Sequence, residues 1–214
     1  MKHKKYIIWD WNGTMLDDTG YCVDCMNTVL DQYNINRIDI DLYRENFTFP
    51  VKDYYEAIGF DFSKVDFEKP AMEFINLYYS NIENAGLANG IVNILSYFKK
   101  RNIKQFCLSA MEHGELVNSL NSKGIFEYFE EVRGINDHYA NSKVEVGKSL
   151  LKSINANKND ILMIGDTIHD FEVATELGID CLLVANGHQS FERLQKVTEN
   201  IISDLSEVME RLID

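Results

Sequence analysis

The sequence predicts an α/β protein, a doubly wound parallel sheet that carries an inserted all-helical segment. Three observations predict it. The apolar run Tyr6-Ile7-Ile8-Trp9 passes straight into Asp10-Trp11-Asn12-Gly13-Thr14, and the run Ile161-Leu162-Met163-Ile164 passes into Gly165-Asp166-Thr167-Ile168-His169-Asp170. Short, continuous apolar runs are the mark of strands buried on both faces, and in open α/β sheets ligands bind just beyond the carboxyl ends of such strands. From Asn89-Gly90 onward helical and strand patterns alternate. Between the first strand and that alternation, residues 17–84 show helical spacing and no clear strand.

The elements follow in order. After Thr14, Cys22, Met26, Val29, Leu30 and Tyr33 fall on one helical face. Leu42, Tyr43 and Phe47, then Val51, Tyr54, Tyr55 and Ile58, predict two short helices, and a longer one is expected from about Phe67 to Ile82. Phe47-Thr48-Phe49-Pro50 would join two of these and could lie over a site at the strand ends. The alternating half then reads as a helix to Arg101, a strand 103–108, a helix to Lys123 and a strand 129–132. A helix 142–153, a strand 161–164, a helix 170–177 and a strand 180–184 complete it. Gly124 and Gly178 stand where helix C-caps belong. Such βα alternation implies right-handed crossovers with helices on both sheet faces. Ile201-Ile202 suggests an edge strand before a last helix from Leu205 to Ile213.

Composition excludes several functional classes. The 214 residues, 45% of them hydrophobic, suffice for a sizeable core and suit one domain plus an insertion. A net charge of −13 repels nucleic acid and anionic membranes, though a cation and a lysine can invert the field inside one pocket. The apolar stretch after Met1-Lys2-His3-Lys4-Lys5 stops at Asp10, too short for a signal-peptide core, and no run approaches the ~20 residues of a membrane span. A cytoplasmic protein is expected. Cys22-Val23-Asp24-Cys25 has metal spacing, but no second pair or neighbouring histidine accompanies it in sequence, so structural use is favoured.

Candidate chemistry gathers on the strand ends. Asp10 is placed as a nucleophilic carboxylate, and Gly13 would let the backbone approach a ligand closely. Asp166 suits a hard cation such as Mg²⁺, which takes one or two carboxylates and keeps waters. Asp170, about one helical turn on, could hold a metal-bound water, orient a lysine, or simply favour a helix N-terminus. Lys143 lies within Ser142-x-x-Glu145, a capping-box pattern, where a lysine opposes the helix dipole unless an anion is near. Ser109, after Leu108, begins a Ser-x-x-Glu box with Glu112 and so predicts a helix start. His169 and His188 sit near the same edge, but a lone loop histidine is more often a surface residue, and neither is assigned catalysis.

Together these segments resemble the haloacid dehalogenase superfamily. Its first motif reads D-x-D-G-T and its last G-D-x-x-x-D after an apolar strand, with a Ser or Thr at a strand end and a Lys at a helix start between them. Asp10 to Thr14, Ser109, Lys143 and Gly165 to Asp170 stand in that order, spread over residues 10–170. The resemblance, within it to the phosphoglycolate phosphatase-like group, implies an α/β core of 1–16 and 85–214 with a helical cap at 17–84. It also implies a Mg²⁺-dependent phosphatase acting on a small phosphorylated metabolite through an aspartyl-phosphate, as a monomer or weak homodimer. On this basis Asp10, the Asn12 backbone carbonyl, Asp166 and Asp170 would serve the metal. Ser109, Ala110, Lys143, Gly13 and Thr14 would serve the phosphate, with Asp10, Asn12 and Lys143 catalytic.

One departure bears on mechanism. Asn12 replaces the second acid of the first motif, which in such phosphatases protonates the leaving alkoxide and then activates water. An amide does neither. The expectation is slow turnover on alkyl phosphates, less penalty with good leaving groups, and a gain on Asn12→Asp. Alternatives are C–P bond cleavage using a cap lysine (Lys52, Lys64 or Lys69) and non-catalytic binding of a phosphorylated ligand.

Overall fold

The computed structural model describes residues 3–135 and 143–212. Its first strand, β1 (Tyr6–Trp9), has Ile7, Ile8 and Trp9 fully buried, because helices cover both faces of the sheet. β1 lies at the centre, paired in parallel with β4 (Lys104–Glu112) on one side and β6 (Ile161–Gly165) on the other. Adding β5 (Glu131–Ile135), β7 (Asp180–Val184) and β8 (Ile201–Ile202) gives the order β5-β4-β1-β6-β7-β8. The chain therefore switches direction of winding on either side of β1, and a crevice forms at its carboxyl end. Asp10 stands at that switch point.

Four helices separate β1 from the rest of the sheet: α1 (Thr19–Gln32), α2 (Ile40–Asn46), α3 (Val51–Ala57) and α4 (Glu68–Asn81). Their buried faces are strongly aromatic, with Tyr43, Tyr54, Tyr55 and Tyr78 all shielded from solvent. The segment leaves and returns through a two-residue antiparallel pair, β2 (Leu16–Asp17) with β3 (Gly86–Leu87). So short a ribbon carries no periodicity for sequence reasoning to find. The remaining helices are α5 (Ile91–Lys100), α6 (His113–Ser122), α7 (Lys143–Ile154), α8 (Ile168–Leu177), α9 (Phe191–Leu194) and α10 (Val208–Leu212). Gly178 closes α8 with φ +69°, and Gly124 follows α6 with φ +67°, the left-handed turn that a Cβ disfavours.

Several expected boundaries shift. The strand expected to end at 108 runs on to Glu112, so Ser109 is a strand residue and not a helix cap. A register break after Leu108 re-aims the strand, and Gly134 on β5 lets it pass, since a Cβ there would sit 2.5 Å from the Met111 carbonyl. Glu112 then caps α6, accepting the Glu115 N–H at 2.9 Å. The strand expected at 129–132 lies at 131–135, and the helix expected at 170–177 begins two residues earlier. The last helix is split, with a single 3₁₀ turn at Leu205–Glu207 before α10. Among the described residues no helix is long and apolar enough to cross a membrane.

Candidate active site

Asp10, Lys143, Asp166 and Asp170 come together beneath the inserted helices. Asp10 leaves β1 and accepts a hydrogen bond from Lys143 Nζ at 2.5 Å; the same ammonium donates to Asp170 Oδ1 at 2.6 Å. All three side chains are buried. Lys143 is the first residue of α7, so its charge opposes the helix dipole, and the two carboxylates offset that conflict. The Ser142 end of its sequence capping box lies outside the described residues.

Asp166 closes the other side. It accepts the Thr14 hydroxyl at 3.0 Å and the His188 backbone N–H at 2.6 Å. Asp170 contacts the lysine and caps a helix at once, two of the three roles its position suggested. Its Oδ2 accepts from the Thr167 backbone N–H and hydroxyl at 3.0 and 2.7 Å, completing a capping box on α8, while Oδ1 holds Lys143. Gly13 is required at its position: φ is +69°, and a Cβ would lie 2.2 Å from Asp166 Oδ2. Its N–H donates to Asp18 Oδ1 at 2.8 Å.

The electrostatics are unbalanced in a way that calls for a cation. Burial pushes the Asp10 carboxyl up to about 8, with the Lys143 charge pulling it back and the Asp170 charge adding to the rise. Burial, followed by the charge of Asp170, likewise lifts Asp166 to about 8. Asp170 is also buried, yet Lys143 outweighs that burial and holds it below the usual carboxylate range. Burial works against the Lys143 ammonium, but Asp10 and Asp170 keep it protonated. One oxygen from each of Asp10, Asp166 and Asp170 lies within 4.8 Å of the others. When ionised, three carboxylates facing one ammonium leave two negative charges, and a hard divalent cation fits that donor set.

Asn12 is held by residues that sequence reasoning did not single out. Its Nδ2 donates to Asp18 Oδ2 at 3.0 Å and to the Tyr78 hydroxyl at 2.6 Å, and that hydroxyl donates in turn to Asp18 Oδ2 at 2.5 Å. Burial and then the Asp18 charge push the Tyr78 phenol well up, so it stays a donor. The amide oxygen faces the Ser109 hydroxyl at 3.4 Å. A flipped amide would set its oxygen against the Asp18 carboxylate, so the surroundings fix this orientation. Asp18 is fully buried at the start of α1, next to exposed Asp17, and nothing in the local pattern tells the two apart.

The histidines are closer to the site than expected. His188 is buried, its Nδ1 2.9 Å from the Tyr43 hydroxyl and its Nε2 3.5 Å from Asp18 Oδ1. Cys22 thus has a histidine and an acid beside it that sequence distance concealed, since donor atoms of Asp18, Cys22 and His188 lie within 4.8 Å of one another. All four cysteines are buried free thiols. His169 lines the same pocket, with Nε2 buried and unpartnered; burial and then the Lys143 charge hold its imidazole below the usual range. Ser109, Ala110, Phe47 and Phe49 also line this pocket, a cavity of about 240 Å³.

A family model described as haloacid dehalogenase-like hydrolase matches residues 7–184, spanning every residue of the acidic cluster. The chain belongs to that family. The Mycobacterium tuberculosis protein named tyrosine-protein kinase PtkA is 22% identical over 210 residues, covering 95% of this chain and 70% of that protein. Its solved structure superposes with a TM-score of 0.81 at 21% identity over 99% of both chains. A haloacid dehalogenase-like hydrolase from Streptococcus pneumoniae gives 0.82 at 17% identity, again over 99% of each. A Haemophilus somnus protein described as a predicted phosphoglycolate phosphatase gives 0.77 at 15% over the same share. The shared feature is the fold: a six-stranded parallel sheet flanked by helices.

Proposed function

We propose that this chain is a Mg²⁺-dependent phosphatase that cleaves a small phosphorylated metabolite through an aspartyl-phosphate on Asp10. One observation carries the reading: Lys143 bridges Asp10 and Asp170 while Asp166 converges on the same point, in a cavity that opens to the strand ends. Asp10, the Asn12 backbone carbonyl and Asp166 would hold Mg²⁺, with Asp170 behind. Bound there, the cation would supply charge neutralisation for the phosphate and keep the nucleophile ionised.

The residues then divide the work. Asp10 attacks phosphorus in line with the departing oxygen, giving an acyl phosphate that water later hydrolyses. Lys143 orients the nucleophile and, with Ser109 and the Ala110 backbone, steadies the phosphoryl oxygens; Gly13 and Thr14 shape the loop around Asp166. Asn12 offers an oxygen acceptor but no acid proton, so the leaving group departs without protonation from that position. Residues 17–84 act as a cap over residues 1–16 and 85–214, excluding water when closed. The protein would work in the cytoplasm as a monomer or weak homodimer.

Phosphate release that requires both Mg²⁺ and Asp10, compared between wild type and Asp10→Asn on acyl, aryl and alkyl phosphates, tests this reading; release unaffected by Asp10→Asn would reject it. The name of the mycobacterial relatives supports a second reading, phosphoryl transfer to a tyrosine phenol, because the likeness covers nearly the whole chain. Labelled phosphate passing from ATP to a tyrosine would favour it. The cap lysines give the C–P cleavage alternative no support: Lys52 lies over the Phe62 ring, Lys69 over the Tyr33 ring and Lys64 pairs with Asp61, and none of them lines the pocket.

A further inference from the structure

The outer wall of the cavity has no part in the chemistry above. Phe47, Phe49, Val51, Phe74, Ile75 and Tyr79, all from the inserted segment, enclose the space above Asp10. The aromatic surface runs down to the acids: the Phe49 ring centroid lies 4.8 Å from that of His169, and the Phe47 centroid 5.1 Å from that of His188. At about 240 Å³ the cavity falls below the roughly 300–1,000 Å³ of pockets for drug-sized ligands, so the tail it accepts is short.

Charge decides what kind of tail. Among the described lining residues Lys143 is the only lysine or arginine, and its ammonium already serves Asp10, Asp170 and, in the proposed reaction, the phosphate. Arg44 and Arg193, on the neighbouring elements, donate to the carbonyls of Gly187, Asn186, Arg44 and Phe47. A carboxylate on the substrate, as in phosphoglycolate, would be buried without a counter-ion and beside Asp18 and Glu112, which also line the cavity. A flat, uncharged tail meets rings instead, and offset or edge-on ring contacts add to area burial.

Asn12 points the same way independently. With no acid proton from position 12 the leaving oxygen does best to carry away its own electron pair, and a phenol, with a pKa of about 10 against about 15.7 for water, does so far more readily than an alkoxide.

We infer that the substrate is a small aryl phosphate monoester, its ring held between Phe49 and Phe74 and its phosphate over Asp10. The inference rests on the phosphatase reading and specifies its substrate. Asp10 forms a bond to phosphorus as the phosphorus–aryloxy bond breaks; the pair leaves on the phenolate, which takes its proton from solvent. Water then adds to phosphorus, returning the Asp10 carboxylate and releasing inorganic phosphate.

Aryl esters are intrinsically reactive, so recognition must be measured apart from turnover. Phenylphosphonate and phosphonoacetate, which cannot be hydrolysed, would be titrated into the Mg²⁺-loaded full chain by calorimetry, alongside phosphocholine. Phosphate release from phenyl phosphate, acetyl phosphate and phosphoglycolate would be followed in parallel. Phenylphosphonate is expected to bind at least tenfold tighter than either ligand with a charged tail. Phe74→Ala should bring that ratio towards one, and Ile75→Arg should invert it in favour of phosphonoacetate. Equal or tighter binding of phosphonoacetate or phosphocholine by wild type, or no binding of phenylphosphonate, overturns the inference. Absence of Mg²⁺-dependent release from all three phosphate compounds overturns the phosphatase reading instead, whichever ligand binds.

Discussion

Replacing Asn12 by aspartate, which would restore the acid of the family motif, is expected to fail as a single change. The substitution removes the amide that donates to Asp18 and sets a second carboxylate about 3.0 Å from Asp18 Oδ2. Two unit charges at that separation repel by about 5.5 kcal/mol at an effective dielectric constant of 20, and a lost hydrogen bond to a charged group costs a further ~1.5–3 kcal/mol. Asp18 is buried and position 12 half-buried, so the site responds by sharing a proton between the carboxyls or by moving them apart. Asn12→Asp should therefore be destabilised by several kcal/mol at pH 8 and by much less at pH 5, where holding that proton is easy. The pair Asn12→Asp with Asp18→Asn exchanges the acid and the amide, removes the repulsion and should recover most of the stability. It should also gain on alkyl phosphates, by up to the roughly 10²–10⁴ that general acid help provides. Urea unfolding of wild type, single and double variants at pH 5 and 8, with turnover of phenyl and alkyl esters, measures both effects. If the single variant matches wild type at both pH values and outperforms the double variant on alkyl esters, the coupling between positions 12 and 18 is wrong.

Three further outcomes follow from the buried charges. Asp10 and Asp166 are both lifted to about 8, so the folded, metal-free protein holds more protons than the unfolded chain between about pH 4 and 8. Its stability should fall as pH rises through that window, and Mg²⁺ should bind more tightly at pH 8.5 than at 6.5 with proton release, which calorimetry in two buffers of different ionisation enthalpy detects. Lys143→Met leaves Asp10 and Asp170 buried without their cation and should cost about 3–5 kcal/mol in denaturant unfolding, a loss that is larger at pH 8 than at pH 5. Tyr78→Phe deprives Asp18 of one donor and frees one Asn12 N–H, for an expected loss of about 1.5–3 kcal/mol; a change under 0.5 kcal/mol in the same assay would count against the network.

What the sequence made legible was whatever a short pattern can encode. The strands β1 and β6 announce themselves because burial on both faces leaves an unbroken apolar run, and the acids that follow them are fixed to the sheet edge by that assignment. Lys143 was legible as a charge set against a helix dipole. Ser109 was misjudged locally, since Ser-x-x-Glu satisfies a helix start, whereas pairing of Glu112 with Ile135 across a register break keeps the chain extended. Tertiary pairing overrode local propensity there.

The partners of Asn12 were not legible, for a reason more general than this site. Asp18 and Tyr78 lie 6 and 66 residues away from it, one just before α1 and the other on α4, and each alone is an unremarkable polar residue. Only the fold makes them one cluster, and the cluster changes what Asn12 means. An amide in isolation looks like a lost acid. An amide that donates to a buried carboxylate six residues on is a necessary partner for it, because a second carboxylate would not be accommodated without a proton. The acidic group missing from position 12 thus has a counterpart at position 18, which accepts from Asn12, Gly13 and Tyr78. That displacement ties leaving-group chemistry to pocket lining in the proposed reaction: a site with an amide at position 12 would suit esters with good leaving groups, and an aromatic wall would suit the rings that such esters carry.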